Sequence, residues 1–382
     1  MQSEFDNMVI LATNESMKYA SRVHKRLQQR LGPAGIKIPP LGHISGMYFP
    51  NREVYPQIGA SVRNKNVYLF HAFCGYDGEP DPNVGLVKLA LIDDAIRNSS
   101  PNRINYIAPW FPYLRQDRID RPRVPISARR ALKMIEVPDS KIHTRLVTYD
   151  MHAGQVRGFV SYQIDDLYAD PLFYYYMLQK FAGLDATPEE ISVMAEENLE
   201  PYNKTLRDRV VVVSPDAGGA TRARRLAKRY GGDLAMVDKR RSGPGESDAV
   251  HVLGGDRVSG RIAMITDDMI DTAGTIETTS YALRELSAEG IYVNATHAIL
   301  SADRKGVRAE DKIRKAGIKA VVADTIPRSS DYKIENGDIL EWVSTDSLTS
   351  GVIFEIQKED GSVSKLLGDK REPILDEFKN PQ

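Results

Sequence analysis

Arg261-Ile262-Ala263-Met264-Ile265-Thr266-Asp267-Asp268-Met269-Ile270-Asp271-Thr272-Ala273-Gly274-Thr275 is the stretch on which the reading of the fold turns. An apolar run, Ile262 to Ile265, reads as a buried strand and ends in two adjacent carboxylates. A turn of small residues follows, and helix-compatible spacing opens behind it over residues 275–289. Backbone N–H groups in such a turn converge on one spot, and the helix dipole adds partial positive charge there, so the turn suits a phosphate. Gly274 lets the backbone come close to the anion, while Thr272 and Thr275 offer hydroxyl donors. Carboxylates beside an anion must face something else, either vicinal ribose hydroxyls or a Mg²⁺ ion. For Asp267-Asp268 taken alone, an acidic strand end ahead of an ordinary capped helix is the plain alternative.

The same alternation spreads outward. Asn66-Val67-Tyr68-Leu69-Phe70, Ile104-Asn105-Tyr106-Ile107-Ala108, Arg145-Leu146-Val147-Thr148-Tyr149 and Val210-Val211-Val212-Val213 read as buried strands. Residues 86–98, 127–135 and 221–230 carry helical spacing between them. Strands alternating with helices predict an α/β fold with a largely parallel sheet, whose ligands gather beyond the carboxyl ends of the strands. Thr187-Pro188-Glu189-Glu190 is a capping box, Thr at the cap and Glu three residues on. It lies in a charged stretch, residues 183–208, which reads as a surface helical insertion near a domain boundary.

At 382 residues the chain is too long for one ordinary domain. Lys plus Arg number 51 against 52 Asp plus Glu, so no global basic field exists to hold a nucleic acid or an anionic membrane. Any anion site must be local. Cys74 is the only cysteine, which excludes an intrachain disulfide and a zinc–cysteine cluster and fits a reducing cytoplasm. Neither a signal peptide nor an apolar run of membrane length is visible, so a soluble, cytoplasmic protein is expected.

Local positive charge is found in Pro109-Trp110-Phe111-Pro112-Tyr113-Leu114-Arg115-Gln116-Asp117-Arg118-Ile119-Asp120-Arg121-Pro122-Arg123-Val124-Pro125-Ile126-Ser127-Ala128. From Arg115 to Arg123 four Arg stand against two Asp, and Pro122 and Pro125 keep the stretch from becoming a helix interior. A flexible cationic loop that closes over a polyphosphate expels water and strengthens each ion contact.

At these residues the chain resembles a known family. The turn Asp267–Thr275 resembles the PRPP-binding motif shared by type I phosphoribosyltransferases and PRPP synthetases, and residues 109–128 resemble the catalytic loop of the ribose-phosphate pyrophosphokinase (PRPP synthetase) family alone. Thr148-Tyr149-Asp150-Met151-His152-Ala153-Gly154-Gln155, Val213-Ser214-Pro215-Asp216-Ala217-Gly218-Gly219, Asp238-Lys239-Arg240-Arg241 and Phe49-Pro50-Asn51-Arg52-Glu53 resemble further family motifs in the same order. The likeness runs over about residues 8–367, apart from residues 183–208 and small extra loops around residues 75–83. It departs at Val160 and Gln163, where the family has Phe and Pro.

The resemblance implies two phosphoribosyltransferase-like domains, residues 1–165 and 166–345, followed by a terminal segment 346–382, with the active site between the domains of a homo-oligomer. It implies a Mg²⁺-dependent transfer of the diphosphate of ATP to ribose 5-phosphate, giving PRPP for nucleotide biosynthesis. Asp267, Asp268 and Asp216 would lie at the ribose, and Asp271, Thr272, Ala273, Gly274 and Thr275 at its 5-phosphate. His152 and Asp216 would be linked to the metal, while Lys239, Arg241 and Arg115 would stabilise the transferring group. Phe49, Asn51 and Glu53 would contact adenine across a subunit interface, with Arg115, Gln116, Asp117 and His152 completing the ATP site. Two alternatives stay open: a type I phosphoribosyltransferase, which would not need the arginine-rich loop, and a non-catalytic associated subunit, whose relatives lose catalytic-loop residues that are present here.

Ser61-Val62-Arg63 and Ser362-Val363-Ser364 resemble two family segments that meet at an interface and bind phosphate or ADP, although Leu367 stands where the family commonly has an aromatic residue. Hydroxyls with one Arg suit a phosphate. Activity titrated with inorganic phosphate should respond in the wild type and respond differently in Ser61→Ala; flat, superimposable titrations would remove the site.

Overall fold

The computed structural model describes residues 2–75, 79–138, 140–240 and 249–367. Its strands form two seven-stranded sheets. The first holds β1 Met8–Thr13, β2 Leu41–Tyr48, β3 Val54–Ile58, β4 Asn66–Phe70, β5 Arg103–Ile107, β6 His143–Tyr149 and β7 Gln163–Leu167, in the order β3-β2-β1-β4-β5-β6-β7. The second holds β8 Val210–Ser214, β9 Asp233–Arg240, β10 Ala249–Leu253, β11 Ile262–Ile270, β12 Gly290–Ala298, β13 Lys319–Ala323 and β14 Leu340–Val343, in the order β10-β9-β8-β11-β12-β13-β14. The two orders are one pattern used twice. All neighbours are parallel except the outer pairs β2/β3 and β9/β10. β4 and β8 are buried along their whole length, as strands covered on both faces must be, and that explains continuous apolar runs such as Val210-Val211-Val212-Val213.

β11 extends five residues past the apolar run that announces it. β12 pairs along it from Ile262↔Gly290 to Ile270↔Ala298, so Asp267 and Asp268 stand on the strand itself. The capping box forms as read: Glu190 N–H donates to Thr187 Oγ1 at 3.2 Å, and Thr187 N–H to Glu190 Oε2 at 2.7 Å. The stretch 183–208 lies at the surface, docked along one face. Its helices Pro188–Ser192 and Glu196–Arg209 bury Ile191, Leu199 and Leu206 completely, and Asn203 accepts a 2.7 Å hydrogen bond from Tyr174 of the helix Asp170–Ala182. One apolar face on each short helix was enough to dock it, which the charged composition hid.

The chain divides into two compact units. One contains the residues up to Tyr168, the short piece Thr325–Pro327 and the segment from Asp346 onward; the other is Ala169–Asp324 with Arg328–Thr345. The terminal segment thus begins inside the first unit. Its helix Asp346–Gln357 is buried along almost its entire length: Tyr19 and Tyr149 hydroxyls meet Thr349 Oγ1 at 2.6 and 2.8 Å, and Tyr68 donates to Gln357 Oε1 at 2.9 Å. Among the described residues no helix is long and apolar enough to cross a membrane.

Gly85, in the helix Pro82–Arg97, packs closely against the loop that carries Phe73. A Cβ there would stand 2.5 Å from Phe73 Cα, while the Gly85 carbonyl lies 3.0 Å from His71 Nε2. Gly85→Ala should cost about 1–3 kcal/mol through overpacking against backbone, read as a lowered denaturation temperature; an unchanged midpoint would mean that the helix is free to move away.

Candidate active site

In the second sheet the winding reverses between β8 and β11, and the carboxyl ends of those two strands flank the crevice where open α/β sheets take ligands. Two of the sequence motifs sit there. After β8, Asp216 is exposed; its Oδ1 accepts the Gly219 N–H at 2.9 Å, and its carbonyl accepts Ser214 Oγ at 2.6 Å. After β11, the turn Asp271–Ala273 leads into the helix Gly274–Glu285, which opens on Ala273 in a left-handed conformation (φ 56°) with no side-chain cap. Four N–H groups at a helix start need acceptors, and a bound phosphate supplies them. Beside the turn, Arg222 of the helix Ala220–Tyr230 brings Nη1 to 3.6 Å from Asp267 Oδ1 and Nη2 to 3.9 Å from Asp268 Oδ2. Burial first, and then the neighbouring Asp268 carboxylate, hold the Asp267 carboxyl well above the ordinary carboxylate range. Such a crowded acidic pair is relieved by hydroxyl donors or a cation, and both belong to a sugar-phosphate site.

The matching crevice of the first sheet, between β1 and β4, is filled. Lys88 and Glu15 form a buried 2.6 Å ion pair across it, and Ser16 Oγ donates to the Phe70 carbonyl at 2.7 Å. The helix that follows β4 already carries its own anion: Asp81 caps it through the N–H groups of Asn83 and Val84, each at 3.0 Å. With identical topology, the helix start after β4 is thus capped from within the chain, and the one after β11 is not.

The first unit presents its motifs on loops after other strands. Between β5 and the helix Ser127–Leu132 the chain carries exposed Arg115, Arg118, Arg121 and Arg123, with Tyr113 and Arg123 at left-handed φ (66° and 67°). Gln116 ties the loop's two ends together, its Oε1 accepting Ser127 Oγ at 2.6 Å and its carbonyl accepting Ala128 N–H at 3.2 Å. Asp117 Oδ2 accepts Gln155 Nε2 at 2.7 Å, which joins this loop to the turn after β6 that carries exposed His152. Phe49, Asn51 and Glu53 lie apart from that cluster, at the β2–β3 hairpin. β1 and β4 stand between β2 and β5, roughly 14 Å at the usual strand spacing. In the hairpin Asn51 Oδ1 accepts Glu53 N–H at 3.2 Å, and Phe49 is 49% exposed against Tyr55, ring centroids 5.4 Å apart. A cavity of about 580 Å³ opens at the opposite edge of this sheet, lined among others by Arg103, His143, Arg145 and Gln163, and contains none of these residues.

A sequence model of the N-terminal domain of ribose phosphate pyrophosphokinase matches residues 8–138, and one of the phosphoribosyl transferase domain matches residues 189–334. A ribose-phosphate pyrophosphokinase of Fusobacterium nucleatum is 32% identical over 363 residues, covering 95% of this chain and 98% of its own. The chain belongs to the ribose-phosphate pyrophosphokinase family. Ribose-phosphate pyrophosphokinase 2 of Schizosaccharomyces pombe is 34% identical over 334 residues, 86% of this chain and 92% of its own. The crystal structure of phosphoribosylpyrophosphate synthetase from Mycobacterium smegmatis superposes with a TM-score of 0.70 at 27% identity, over 92% of this chain and 98% of that one.

Of the family's cationic cluster, Lys239 stands on β9 opposite Val250, and Arg241 lies outside the described residues. Exposed Ser61 and Arg63 precede β4, while Ser362 and Ser364 follow the helix Asp346–Gln357, where Ser362 N–H donates to Glu355 Oε2 at 2.8 Å. Among the described residues no three His, Cys, Asp or Glu side chains converge on a metal position. Asp216, an exposed carboxylate, and His152, an exposed imidazole, are each single donors, and Mg²⁺ commonly takes one or two protein carboxylates and keeps phosphate and water oxygens as its other ligands.

Sequence reading missed the supports. Arg222 shows only as one cation in a basic helix. Asp166 on β7 holds the His152 turn, accepting Met151 N–H at 2.9 Å on one oxygen and Arg157 Nη2 at 2.9 Å on the other. Its only signal was a pair of carboxylates inside a strand, Asp165-Asp166. Burial first, then the charge of Asp150, pushes the Asp166 carboxyl up from 3.8 to about 6. The folded protein therefore retains a proton that the unfolded chain has lost across that window, so this group's contribution to stability falls as pH rises from about 4 to 6. The stability of wild type minus that of Asp166→Asn should drop across this range by about 1–3 kcal/mol, measured by denaturation at each pH; a difference that grows with pH would show Asp166 ionised throughout.

Proposed function

We infer that the enzyme transfers the β,γ-diphosphate of ATP to the C1 hydroxyl of ribose 5-phosphate, forming PRPP and releasing AMP. The observation that carries this is the uncapped, left-handed helix start at Ala273–Gly274 beside the Asp267–Asp268 pair, set against the plugged equivalent in the first unit. In this reading Asp271, Thr272, Ala273, Gly274 and Thr275 take the 5-phosphate on backbone N–H groups and hydroxyls. Asp267 and Asp268 accept from the ribose hydroxyls, which fixes the sugar so that C1 is presented for in-line attack. The transition state spreads charge over non-bridging oxygens, so oriented positive charge is the main contribution required of the protein. Lys239, Arg241 and Arg115 supply it, and Arg118, Arg121 and Arg123 arrive as the exposed loop closes. Mg²⁺, when bound, neutralises polyphosphate charge, and His152 and Asp216 are the residues proposed to hold it.

Adenine stacks on Phe49 and is read by Asn51 and Glu53 of a second copy of the chain, since the hairpin stands on the far side of its own sheet from the Gln116–Asp117–His152 cluster. A homo-oligomer follows from that, and phosphate or ADP at Ser61, Arg63, Ser362 and Ser364 would act on it. Incubation with Mg²⁺, ATP and ribose 5-phosphate should yield AMP and PRPP, and Lys239→Ala should lose roughly 10²–10³ in kcat, the scale for removing one preorganised stabilising group. Release of ADP would replace diphosphate transfer with ordinary phosphoryl transfer, and a folded, ligand-binding but inert protein would point to a regulatory subunit.

A further inference from the structure

The turn Asp271–Ala273 is held from behind by a loop and helix that no catalytic motif includes. Three successive carbonyls are engaged on the side away from the helix start. Ile270 accepts Leu300 N–H at 2.9 Å, Asp271 accepts Ser301 N–H at 3.0 Å, and Thr272 accepts Lys312 Nζ at 3.2 Å. The fourth, Ala273, accepts Glu277 N–H inside the helix at 2.9 Å. A trans peptide is planar, with its C=O and N–H pointing opposite ways, so fixing one carbonyl fixes the N–H of the next residue. The Ser301 bond aims the Thr272 N–H, and the Lys312 bond aims the Ala273 N–H, at the residue whose φ of 56° is unusual for a non-glycine. Without the Lys312 bond, the Thr272–Ala273 peptide could rotate and turn a carbonyl oxygen toward the anion.

Lys312, on the helix Ala309–Lys315, is itself anchored. Its ammonium is 2.7 Å from Asp303 Oδ2, and Asp303 Oδ1 accepts the N–H groups of Lys305 and Val307 at 2.8 and 3.0 Å. The Lys312 hydrogen bond first, and those N–H groups next, hold the Asp303 carboxyl down at about 2, so it stays a carboxylate at any working pH. Arg328 donates to the Ile299 carbonyl at 2.6 Å and steadies the start of the same loop. With its charge matched by Asp303 and one of its N–H groups donated to the Thr272 carbonyl, Lys312 is placed as a strut rather than as a phosphate ligand.

We propose that Lys312, braced by Asp303, is a positioning residue for ribose 5-phosphate that keeps the Thr272 carbonyl turned out of the phosphate cradle. This rests on the reading of Asp271–Thr275 as that cradle. Steady-state kinetics on wild type, Lys312→Met, Lys312→Arg, Asp303→Asn and Thr275→Val separates the two. Lys312→Met should raise KM for ribose 5-phosphate roughly tenfold, leave KM for ATP within about twofold, and be largely restored in Lys312→Arg. Asp303→Asn is the discriminating variant. It adds net positive charge, so a lysine acting on the phosphate directly would bind the sugar more tightly, whereas loss of the strut's anchor raises KM for ribose 5-phosphate severalfold. An unchanged KM for ribose 5-phosphate in Lys312→Met with a raised one in Thr275→Val overturns the strut alone. No change in either variant overturns the cradle and the strut with it. A lowered KM in Asp303→Asn, or equal losses for both substrates in every variant, also overturns it.

Discussion

A helix that begins without its own cap leaves N–H groups that only something external can satisfy, and the function proposed for this enzyme depends on one such start, at Ala273–Gly274. The neighbouring Asp267 and Asp268 would repel a bare anion. They are tolerable because they lie on β11 beside the turn, partly matched by Arg222, where sugar hydroxyls and not phosphate oxygens would meet them. The arrangement suits a ligand with a diol at one end and a phosphate at the other.

Duplication of the sheet makes the contrast within one chain instructive. Both crevices are built by the same strand order, yet the first is occupied by a handful of its own side chains, while the helix after β11 starts without a side-chain cap. Asp81 caps the first unit's helix from within, and Lys88 with Glu15 fills the space beside it. A buried ion pair of this kind is held by mutual neutralisation, and losing either partner would leave a charge stranded in the crevice. The motif residues of the first unit stand instead on longer loops, the arginine-rich one after β5 and the His152 turn after β6.

Charge is organised on the same division of labour. A chain with net charge near zero concentrates four exposed guanidinium groups on one loop, tied down at the Ser127 helix start and at Gln155. Other cations are half-buried in ion pairs: Arg225 and Arg229 both bind Asp170 at the start of the helix Asp170–Ala182, and Lys312 binds Asp303. Such pairs hold the scaffold, while the exposed loop arginines form a local positive field that suits a polyanion.

Local chemistry was legible in the amino-acid order. Apolar runs marked the buried strands, Thr187 and Glu190 marked a helix start, and the Asp-Thr-Ala-Gly-Thr turn marked the start of another, because each depends on residues within a few positions of one another. What depended on distant partners was not legible. β12 lengthened β11 past its apolar run. The helix Asp346–Gln357 joined the first unit through Tyr19, Tyr68 and Tyr149, and the stretch 183–208 turned inward on Ile191, Leu199 and Leu206. Asp166, Arg222 and Lys312 look like ordinary surface charges in the sequence. Only tertiary structure sets them behind the functional turns, since hydrogen bonds and ion pairs act over a few ångströms of space however many residues separate the partners along the chain.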